Sequence, residues 1–316
     1  MNRSPASYHR KRTRLLPAMV ASVIVILLIC FVWFGFRLAS APAPYRQSTI
    51  VVGEKVHIVS WDATRSHVVL VDIPSSVVIE GTRGYGKYPL ASLLKLDTID
   101  RHGGKVFIES LSDALGLPLV GLTQISQRGS SEESVELLRQ VFSWKSLFQV
   151  GSHRAVPWST WASWVLAARS LKADQVETIH TTQVLADQQQ PDGSIVSLFD
   201  AQRFDYLYGN LFTDTRIRTE GVTVSVYNTT GVPTLGQRAA RILSQLGVSV
   251  VTVGNDESAL SNCVLSGTGE SVRSQTALFI RSYFQCQIKQ NDEAQGTSDL
   301  SLQLGTDYAV KFAPKK

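Results

Sequence analysis

The chain has 316 residues, a pI near 9.1 and a formal net charge of +5, from 31 Lys and Arg residues against 26 Asp and Glu residues. Five of the cations lie in the first 14 residues, so the rest of the chain carries 26 charges of each sign. A neutral remainder offers no basic footprint for nucleic acid, and the composition excludes a nucleic-acid-binding protein.

The N-terminal region has the pattern of a membrane anchor. Residues Leu15–Phe36 are uncharged and almost all apolar, and a helix of this length spans roughly 30 Å of hydrocarbon. The basic flank at 1–14 predicts that the N-terminus is cytoplasmic and the rest of the chain lies outside. A cleaved signal peptide is the alternative, because Ala39-Ser40-Ala41 is a small-x-small site. The long apolar run and the following Pro42 favour an uncleaved anchor.

The chain has three cysteines. Cys30 lies in the apolar run, where it acts as a small apolar residue. Cys263 and Cys286 lie in the part predicted to be outside, where disulfides form. The sequence leaves open whether these two are bridged, because it does not show that their Cβ atoms meet.

The region after the anchor predicts strands followed by helices. Two runs dense in β-branched residues, 56–62 and 67–73, predict a hairpin that leads to a further strand and a turn at 81–89. Apolar residues at three- and four-residue steps predict a helix from Gly104 to Leu115, closed by Gly116. Helices are also predicted over 130–142 and 157–171, a turn at 191–194, and a connecting helix over 199–212.

The final part, from Gly221, alternates between strands and helices. Strands are predicted over 222–228, 248–255, 262–267, 286–290 and 300–304, and helices over 231–247 and 270–284. This β-α-β-β-α-β order predicts a small α/β sandwich of about 90 residues.

The segment Gly81-x-x-x-x-Gly86-Lys87 is similar to a nucleotide-binding P-loop. A P-loop needs Ser or Thr at the next position to bind the metal of the nucleotide, and Tyr88 stands there. We therefore interpret the segment as a glycine-rich surface turn.

Three other patterns also have structural interpretations. Trp158, Trp161 and Trp164 share a helical stripe, which favours a core face over a carbohydrate-stacking platform. The histidines lack short metal-ligand spacing, so neither a metal nor another cofactor is predicted. Asn228-Thr229-Thr230 matches a glycosylation sequon, but we interpret it as the turn between a strand and a helix.

Residues from Gly221 to about Phe312 resemble the LytR C-terminal domain. The resemblance lies in the strand VTVSVYN, the turn with Asn228, Thr230 and Gly231, the following Ala/Leu-rich helix, and the closing SDLSLQLGTDY. Thr229 stands where that family commonly has glycine.

The preceding part resembles the LytR-CpsA-Psr (LCP) catalytic domain. The hairpin VHIVSWDATRSHVVLVDIPSSVVIEG, the helix that ends in GLP and the segment VPWSTWASWVLAARSLKADQVETIH carry this resemblance. It implies an enzyme that moves glycopolymers from polyprenyl-pyrophosphate carriers onto peptidoglycan, outside the membrane.

Two departures from the family pattern argue against that activity. Ser75 and Ser76 occupy the positions of an Arg-Asp pair, and serine cannot provide the bidentate cation that neutralises pyrophosphate. The arginine-rich stretch of the family is also missing, since Arg128 is the only basic residue between Leu117 and Ser134. A pyrophosphate leaving group needs clustered cations or a metal.

The resemblance therefore predicts an α/β protein with a transmembrane helix, a degenerate LCP-like α/β domain and a βαββαβ LytR C-terminal-type domain. The expected boundaries are a tail at 1–14, a transmembrane helix at 15–37, a linker at 38–48, an LCP-like domain at 49–199, a connecting helix at 200–220 and a C-terminal domain at 221–312.

The expected function is that of a non-catalytic cell-membrane protein that binds a cell-wall component on the outer side. The expected partners are the membrane and peptidoglycan, an envelope glycopolymer or envelope proteins. One alternative is a divergent LCP-type phosphotransferase, with Arg83, Lys87 and Arg101 as ligand-binding cations. A structural spacer is the other alternative.

Overall fold

The computed structural model describes residues 15–39, 45–62, 66–124, 134–143, 153–154, 158–291 and 297–312. The predicted basic tail and Arg128 lie outside these ranges. The first element is helix α1, Leu15–Ala39, whose side chains are described at 19–30, 32 and 33. Within the described residues, no helix combines the length and the apolar character needed to cross a membrane. The span at Leu15–Phe36 therefore stays a prediction.

A mixed six-stranded sheet lies at the centre of the N-terminal unit, by which we mean the elements before β11. Its strands are β1 (Gln47–Val52), β2 (Val56–Asp62), β3 (His67–Ile73), β6 (Leu119–Gln124), β7 (His153–Arg154) and β8 (Val176–His180). The spatial order is β7-β6-β1-β2-β3-β8. β2 and β3 pair antiparallel, which confirms the predicted hairpin.

Helices cover both faces of this sheet, because successive apolar residues along each strand point to opposite sides. Ile50 and Ile58 face a core shared with α2 (Leu90–Ile99) and α3 (Lys105–Leu115). Val51 and Val59 face a second core shared with α4 (Ser134–Val141) and α5 (Trp158–Ser170). The predicted mixed α/β fold is confirmed.

The tryptophan stripe belongs to the second core. Trp161 and Trp164 are 2% and 4% exposed, and their rings lie 5.0 and 5.4 Å from the ring of Phe142. The prediction of a core face is confirmed for these two residues. The side chain of Trp158 lies outside the described part.

A four-stranded sheet in the order β5-β4-β10-β9 packs beside α3. Its strands are β4 (Val78–Gly81), β5 (Gly86–Pro89), β9 (Leu185–Gln189) and β10 (Ile195–Phe199). Gly81 lies opposite Gly86 in the β4–β5 hairpin, and Arg83 and Gly84 form its turn with φ of 57° and 75°. The P-loop look-alike is thus a strand, a turn and a strand, which confirms the turn interpretation.

Helix α2 follows this hairpin and was not predicted. Its buried residues are Leu90, Leu93 and Asp97, so its apolar stripe is short and interrupted by a carboxylate. Helix α3 was predicted correctly. Gly104 and Gly116 flank it with φ of 90° and 66°, a left-handed conformation that glycine adopts without steric cost.

Two predicted linkers are packed into the fold. Tyr45 to Ser48, at the end of the predicted linker 38–48, are buried, and β1 already begins at Gln47. The predicted connecting helix at 200–220 consists of α6 (Ala201–Tyr208), a 3-10 turn and α7 (Thr215–Glu220). Phe204 and Phe212 from this stretch belong to the core shared with α2 and α3.

The C-terminal unit has one sheet in the order β12-β11-β15-β13-β14. Its elements along the chain are β11 (Thr223–Asn228), α8 (Leu235–Gln245), β12 (Ser249–Asn255), β13 (Val264–Gly267), α9 (Gln275–Phe284), β14 (Gln287–Gln290), β15 (Leu300–Leu304) and α10 (Thr306–Ala309). One core, which includes Leu243, Phe279 and Leu302, joins the helices to the sheet. The predicted alternation of strands and helices is confirmed.

Candidate binding groove between the two units

Arg241 of α8 joins the C-terminal unit to the end of α3. Its Nε and Nη2 donate to the carboxylate of Asp205 at 2.6 and 2.8 Å. Its Nη1 and Nη2 donate to the carbonyls of Asp113 and Ala114 at 2.5 and 3.0 Å. These carbonyls lie in the last turn of α3, where intrahelical donors run out and where a positive charge is favourable. The Asp113 carbonyl also accepts from the N–H of Gly116 at 3.3 Å. A Cβ at Gly116 would lie 3.0 Å from the guanidinium carbon, so glycine leaves room for this contact.

Other contacts extend this interface. Arg238 pairs with Asp113, and its guanidinium lies 5.0 Å from the ring centre of Phe312. The backbone N–H of Arg83 donates to the carbonyl of Lys311 at 2.8 Å. Helix α8, the turn between β4 and β5 and the segment after α10 therefore all contribute contacts that hold the two units together.

Tyr45, just before β1, is part of the same interface. Its ring packs edge-on against Phe279 at 5.1 Å, and its hydroxyl lies 2.8 Å from the hydroxyl of Ser282. The next N–H, that of Arg46, donates to the buried carboxylate of Asp214 at 2.5 Å. The chain that leads from α1 is therefore fixed to both units where it enters the fold.

A cavity of about 450 Å³ lies between the two units. This volume is within the range of small-ligand sites. Strands β4, β5 and β10 and helices α3, α6 and α8 contribute its walls, which are lined by Val78, Ile79, Glu80, Lys87, Asp113, Ala114, Leu198, Phe199, Ala201, Thr234, Gln237, Arg238 and Arg241.

The two arginines that line this cavity are paired within the protein. Arg238 faces Asp113, and Arg241 faces Asp205. Lys87 lies opposite Glu80 in the register of β4 and β5. Because the arginines already donate to carboxylates, an anionic ligand would have to displace those carboxylates or pay for burial beside them.

A second cavity of about 390 Å³ lies at the carboxyl ends of β11 and β12, and it shares Thr234 and Gln237 with the first. We call the two adjoining cavities the groove. Ligands of α/β sheets commonly bind at the carboxyl ends of parallel strands. The charged lining residue here is Asp256, whose pKa is lowered by hydrogen bonds from the Ser258 N–H at 2.9 Å and the Gln303 amide at 2.8 Å.

Asn228 shapes the rim of the second cavity. Its Oδ1 accepts from the N–H of Thr230 at 3.0 Å, and its Nδ2 donates to the carbonyl of Val232 at 2.8 Å. Gly231 follows with φ of 71°. These bonds make the segment a tight turn between β11 and α8, as predicted, and place Asn228 and Gly231 in the lining of the groove.

The three cations predicted for the alternative function have different surroundings. Arg83 donates to both carboxylate oxygens of Glu109 at 2.7 and 2.9 Å, and this pairing raises its pKa. Lys87 is exposed and lines the groove. Arg101 is exposed in the turn between α2 and α3 with φ of 58°. Of the three, Lys87 is thus the one at the groove.

The serines that replace the family's Arg-Asp pair lie in the turn between β3 and β4. The carbonyl of Ser75 accepts from the N–H of Ala91 at 3.0 Å, and the side chain of Ser76 is exposed. Neither serine lines the groove. At these positions serine serves the local turn.

Two tyrosines and a lysine are buried or half-buried where the two units meet. The Tyr283 hydroxyl lies 2.7 Å from that of Ser112. Burial raises the pKa of Tyr283 to about 12 and raises that of Tyr308 well above its usual value. Lys311 lies 4.7 Å from the ring centre of Tyr308, and burial lowers its pKa.

Two histidines of the large sheet, on β2 and β8, lie beside one carboxylate on β3. The Nδ1 atoms of His57 and His180 lie 2.6 and 3.4 Å from the two oxygens of Asp72. Across the described ranges, no group of three or more His, Cys, Asp or Glu side chains is arranged to hold a metal ion.

Cys263 and Cys286 form a disulfide with their Cα atoms 4.4 Å apart. The bridge ties β13 to the start of β14, and both residues are buried in the core of the C-terminal unit. It lies away from the residues that line the groove.

The sequence analysis missed Gln237, Arg238 and Arg241 as groove residues. Arg238 and Arg241 are three residues apart, so both lie on one side of α8. This spacing was the available signal. Their carboxylate partners are 125 and 36 residues away, and no local pattern links them.

Comparison with known proteins gives a match for the C-terminal unit. Residues 221–308 match the family LytR_C, described as LytR cell envelope-related transcriptional attenuator. No curated protein matches the chain.

Solved structures similar to the chain include proteins of the LytR-CpsA-Psr family. Bacillus subtilis TagV is 7% identical, with a TM-score of 0.38 over 65% of this chain and 98% of TagV. The Bacillus subtilis transcriptional regulator yvhJ is 10% identical, with a TM-score of 0.37 over 53% of this chain and 94% of its own.

A third is the LytR-CPS2A-psr family protein YwtF (TagT) of Bacillus subtilis, solved with bound octaprenyl pyrophosphate lipid. It is 10% identical, with a TM-score of 0.32 over 65% of this chain and 93% of its own. The predicted recognition is confirmed: residues 221–308 are a LytR C-terminal domain, and LytR-CpsA-Psr proteins are among the structural neighbours of the chain.

Proposed function

We propose that this protein is a membrane-anchored protein of the cell envelope that binds a cell-wall component in the groove without catalysing its transfer. The observation that carries the proposal is the pairing of the groove's arginines with internal carboxylates. Arg241 makes two bonds to Asp205 and two to the end of α3, and Arg238 pairs with Asp113.

This pairing supports binding over phosphotransfer. A transferase of polyprenyl-pyrophosphate substrates must stabilise charge that develops on the leaving group, with cations or a metal aimed at it. Arginines that already hold carboxylates are not available for that task. The turn position of Ser75 and Ser76 agrees with this argument, because serine adds no charge there.

The proposed anchor is α1. Its described large apolar side chains are highly exposed, among them Met19 at 66%, Leu27 at 63% and Trp33 at 60%. A surface of this kind is unfavourable in water and favourable in lipid. The five cations before it support a cytoplasmic N-terminus and an outer location for both units.

Topology can be tested by labelling single cysteines in intact cells. In a Cys30→Ser background, a membrane-impermeant maleimide should label Thr182→Cys, which is exposed in the N-terminal unit, and should not label Ser4→Cys. The reverse result would contradict the proposed orientation, and labelling of both in intact cells would contradict the anchor.

Binding can be tested by co-sedimentation of the detergent-purified full chain with isolated cell-wall sacculi. The full chain should sediment with them. Gln237→Ala should weaken sedimentation about threefold to tenfold, the equivalent of one lost hydrogen bond. Gln183→Ala, exposed on the N-terminal unit away from the groove, is the matched control and should bind normally. Absence of sedimentation would favour a structural spacer, and transfer from a polyprenyl-pyrophosphate glycan by the full chain would refute the non-catalytic proposal.

The second candidate is a divergent phosphotransferase with Arg83, Lys87 and Arg101 as its cations. One observation favours it: Lys87 lines the groove and makes no ion pair with the described residues. If this candidate is right, the full chain should transfer such a substrate and Lys87→Ala should abolish the transfer. Lys172→Ala, an exposed lysine after α5, is the control.

A further inference from the structure

The chain reaches the two units at Tyr45, with five residues between it and the end of α1 at Ala39. The six Cα–Cα steps from Ala39 to Tyr45 span at most about 20 Å. Tyr45 is fixed to α9, because its ring packs against Phe279 at 5.1 Å and its hydroxyl lies 2.8 Å from that of Ser282. The anchor proposed above therefore places the outer surface of the membrane within roughly 20 Å of this part of α9.

Helix α9 exposes one row of side chains beside this contact. Leu278, Arg281, Ser282 and Gln285 are separated by steps of three and four residues, so they share one side of the helix. All four residues are exposed, and Leu278 is a large apolar residue at 38% exposure. We call these four residues the α9 stripe. Because Ser282 contacts Tyr45, the α9 stripe borders the point where the chain leaves the two units for the membrane.

The available charges near the α9 stripe are positive. Arg281 in the stripe and Arg218 of α7 are exposed, and neither forms an ion pair with the residues that the structure describes. Helix α7 packs against α9, and its acid, Glu220, is already occupied. The Glu220 carboxylate accepts from the N–H groups of Gln275 and Thr276 at 2.6 and 3.0 Å. Free cations beside an exposed apolar side chain are typical of a surface that binds anionic lipid headgroups.

We propose that the α9 stripe rests on the outer surface of the membrane, where Arg281 binds the phosphate of an anionic lipid and Leu278 inserts among the headgroups. The proposal rests on the anchor of the proposed function. A guanidinium suits this contact because its paired donors match phosphate oxygens. The short connection to α1 holds the stripe close to the headgroups, so lipid binding there needs no strong affinity of its own. Anchor and stripe together fix the orientation of both units on the membrane.

The contact can be tested with the full chain in a Cys30→Ser background, reconstituted into vesicles of phosphatidylcholine and phosphatidylglycerol in equal amounts. A small amount of lipid with a spin-labelled headgroup quenches any fluorophore that lies at the membrane surface. A fluorophore on Leu278→Cys should be quenched at least about three times more strongly than one on Ile99→Cys. In vesicles of phosphatidylcholine alone, the quenching at Leu278→Cys should decrease. Arg281→Gln should cause a similar decrease in the mixed vesicles.

Ile99 is the matched control because it is also a large apolar residue on a helix, at 71% exposure. It lies in the last turn of α2, before the start of α3. The other end of α3 leads into β6, whose residue Leu119 pairs with Ser48 of β1, close to Tyr45. Ile99 is therefore separated from Tyr45 by the length of α3, and a membrane at the α9 stripe does not reach it.

Flotation of the same vesicles separates failure of this contact from failure of the anchor. If the chain floats with the vesicles but Leu278→Cys and Ile99→Cys are quenched equally, the contact of the α9 stripe is refuted and the anchor stands. If the chain does not float with the vesicles, the anchor and the contact are both refuted. Quenching at Leu278→Cys that changes neither without phosphatidylglycerol nor in Arg281→Gln would refute an anionic lipid as the partner of the stripe.

Discussion

Replacing Arg241 with alanine should uncouple the two units. The guanidinium makes four hydrogen bonds to the N-terminal unit, two to the Asp205 carboxylate and two to carbonyls at the end of α3. Its removal leaves the carboxylate without its cation and removes one donor each from the Asp113 and Ala114 carbonyls at the end of α3. Leaving one partner of a half-buried ion pair unmatched costs more than the pair itself contributes.

The size of the effect follows from the exposure of the pair. The Arg241 and Asp205 side chains are 25% and 31% exposed, so solvent screens part of the interaction. We expect a loss of about 2–3 kcal/mol in the free energy of unfolding, well below the sum of four charge-assisted bonds. For 316 residues this corresponds to a Tm lower by about 3–5 °C.

Calorimetry of the full chain in detergent is the appropriate assay, because it reports both Tm and cooperativity. We expect the main unfolding transition of Arg241→Ala to shift to lower temperature and to separate into two transitions, one for each unit. Arg241→Lys keeps the charge but not the paired donors. Its Tm should lie between that of Arg241→Ala and that of the natural chain. Arg281→Ala, an exposed arginine in the same unit, should change Tm by less than about 1 °C. An Arg241→Ala chain that unfolds like that control would refute the reasoning.

Three further predictions concern other parts of the molecule. Asp97 is fully buried and accepts two backbone N–H groups before and at the start of α3, so Asp97→Ala should lower the free energy of unfolding in denaturant by about 2–3 kcal/mol. Burial raises the pKa of Tyr283 to about 12 from 10, so its contribution to stability is complete below pH 10 and is lost as the pH rises through 12. Tyr283→Phe should therefore flatten the loss of stability between pH 10 and 12, measured by thermal unfolding. Replacing both Cys263 and Cys286 with alanine should cost about 3 kcal/mol in denaturant, because the bridge closes a loop with a sequence separation of 23.

Each of these has a control in the same chain. Asp97→Asn keeps one acceptor oxygen and should lower the free energy of unfolding by less than Asp97→Ala does. Tyr206→Phe, at a side chain that is 86% exposed, should leave the alkaline slope unchanged. Cys30→Ala should not change the stability of the two units. If a control variant changes stability, or its alkaline slope, as much as the variant it is matched with, the physical explanation given for that variant is wrong.

The elements predicted well are those whose signals are local. Helix α3 has a clear apolar stripe, and Gly104 and Gly116 mark its ends by adopting left-handed conformations. Helix α2 has a short stripe with Asp97 in it, because that carboxylate serves the following turn instead of solvent. A residue whose role is set by its neighbours in space therefore misleads a reading of local periodicity.

The sequence by itself determined the α/β class, the order of elements in the C-terminal unit, the hairpin over 56–73 and the resemblance that the family match at 221–308 confirms. These follow from local periodicity, turn residues and short motifs. The tertiary structure alone decided that Tyr45 and Phe212 are buried and that Arg241 binds the end of α3 between the two units. The physical reason is that the groove depends on charge pairs between residues far apart in the chain. Their energy depends on distance in space and on burial, and neither is encoded in any local pattern.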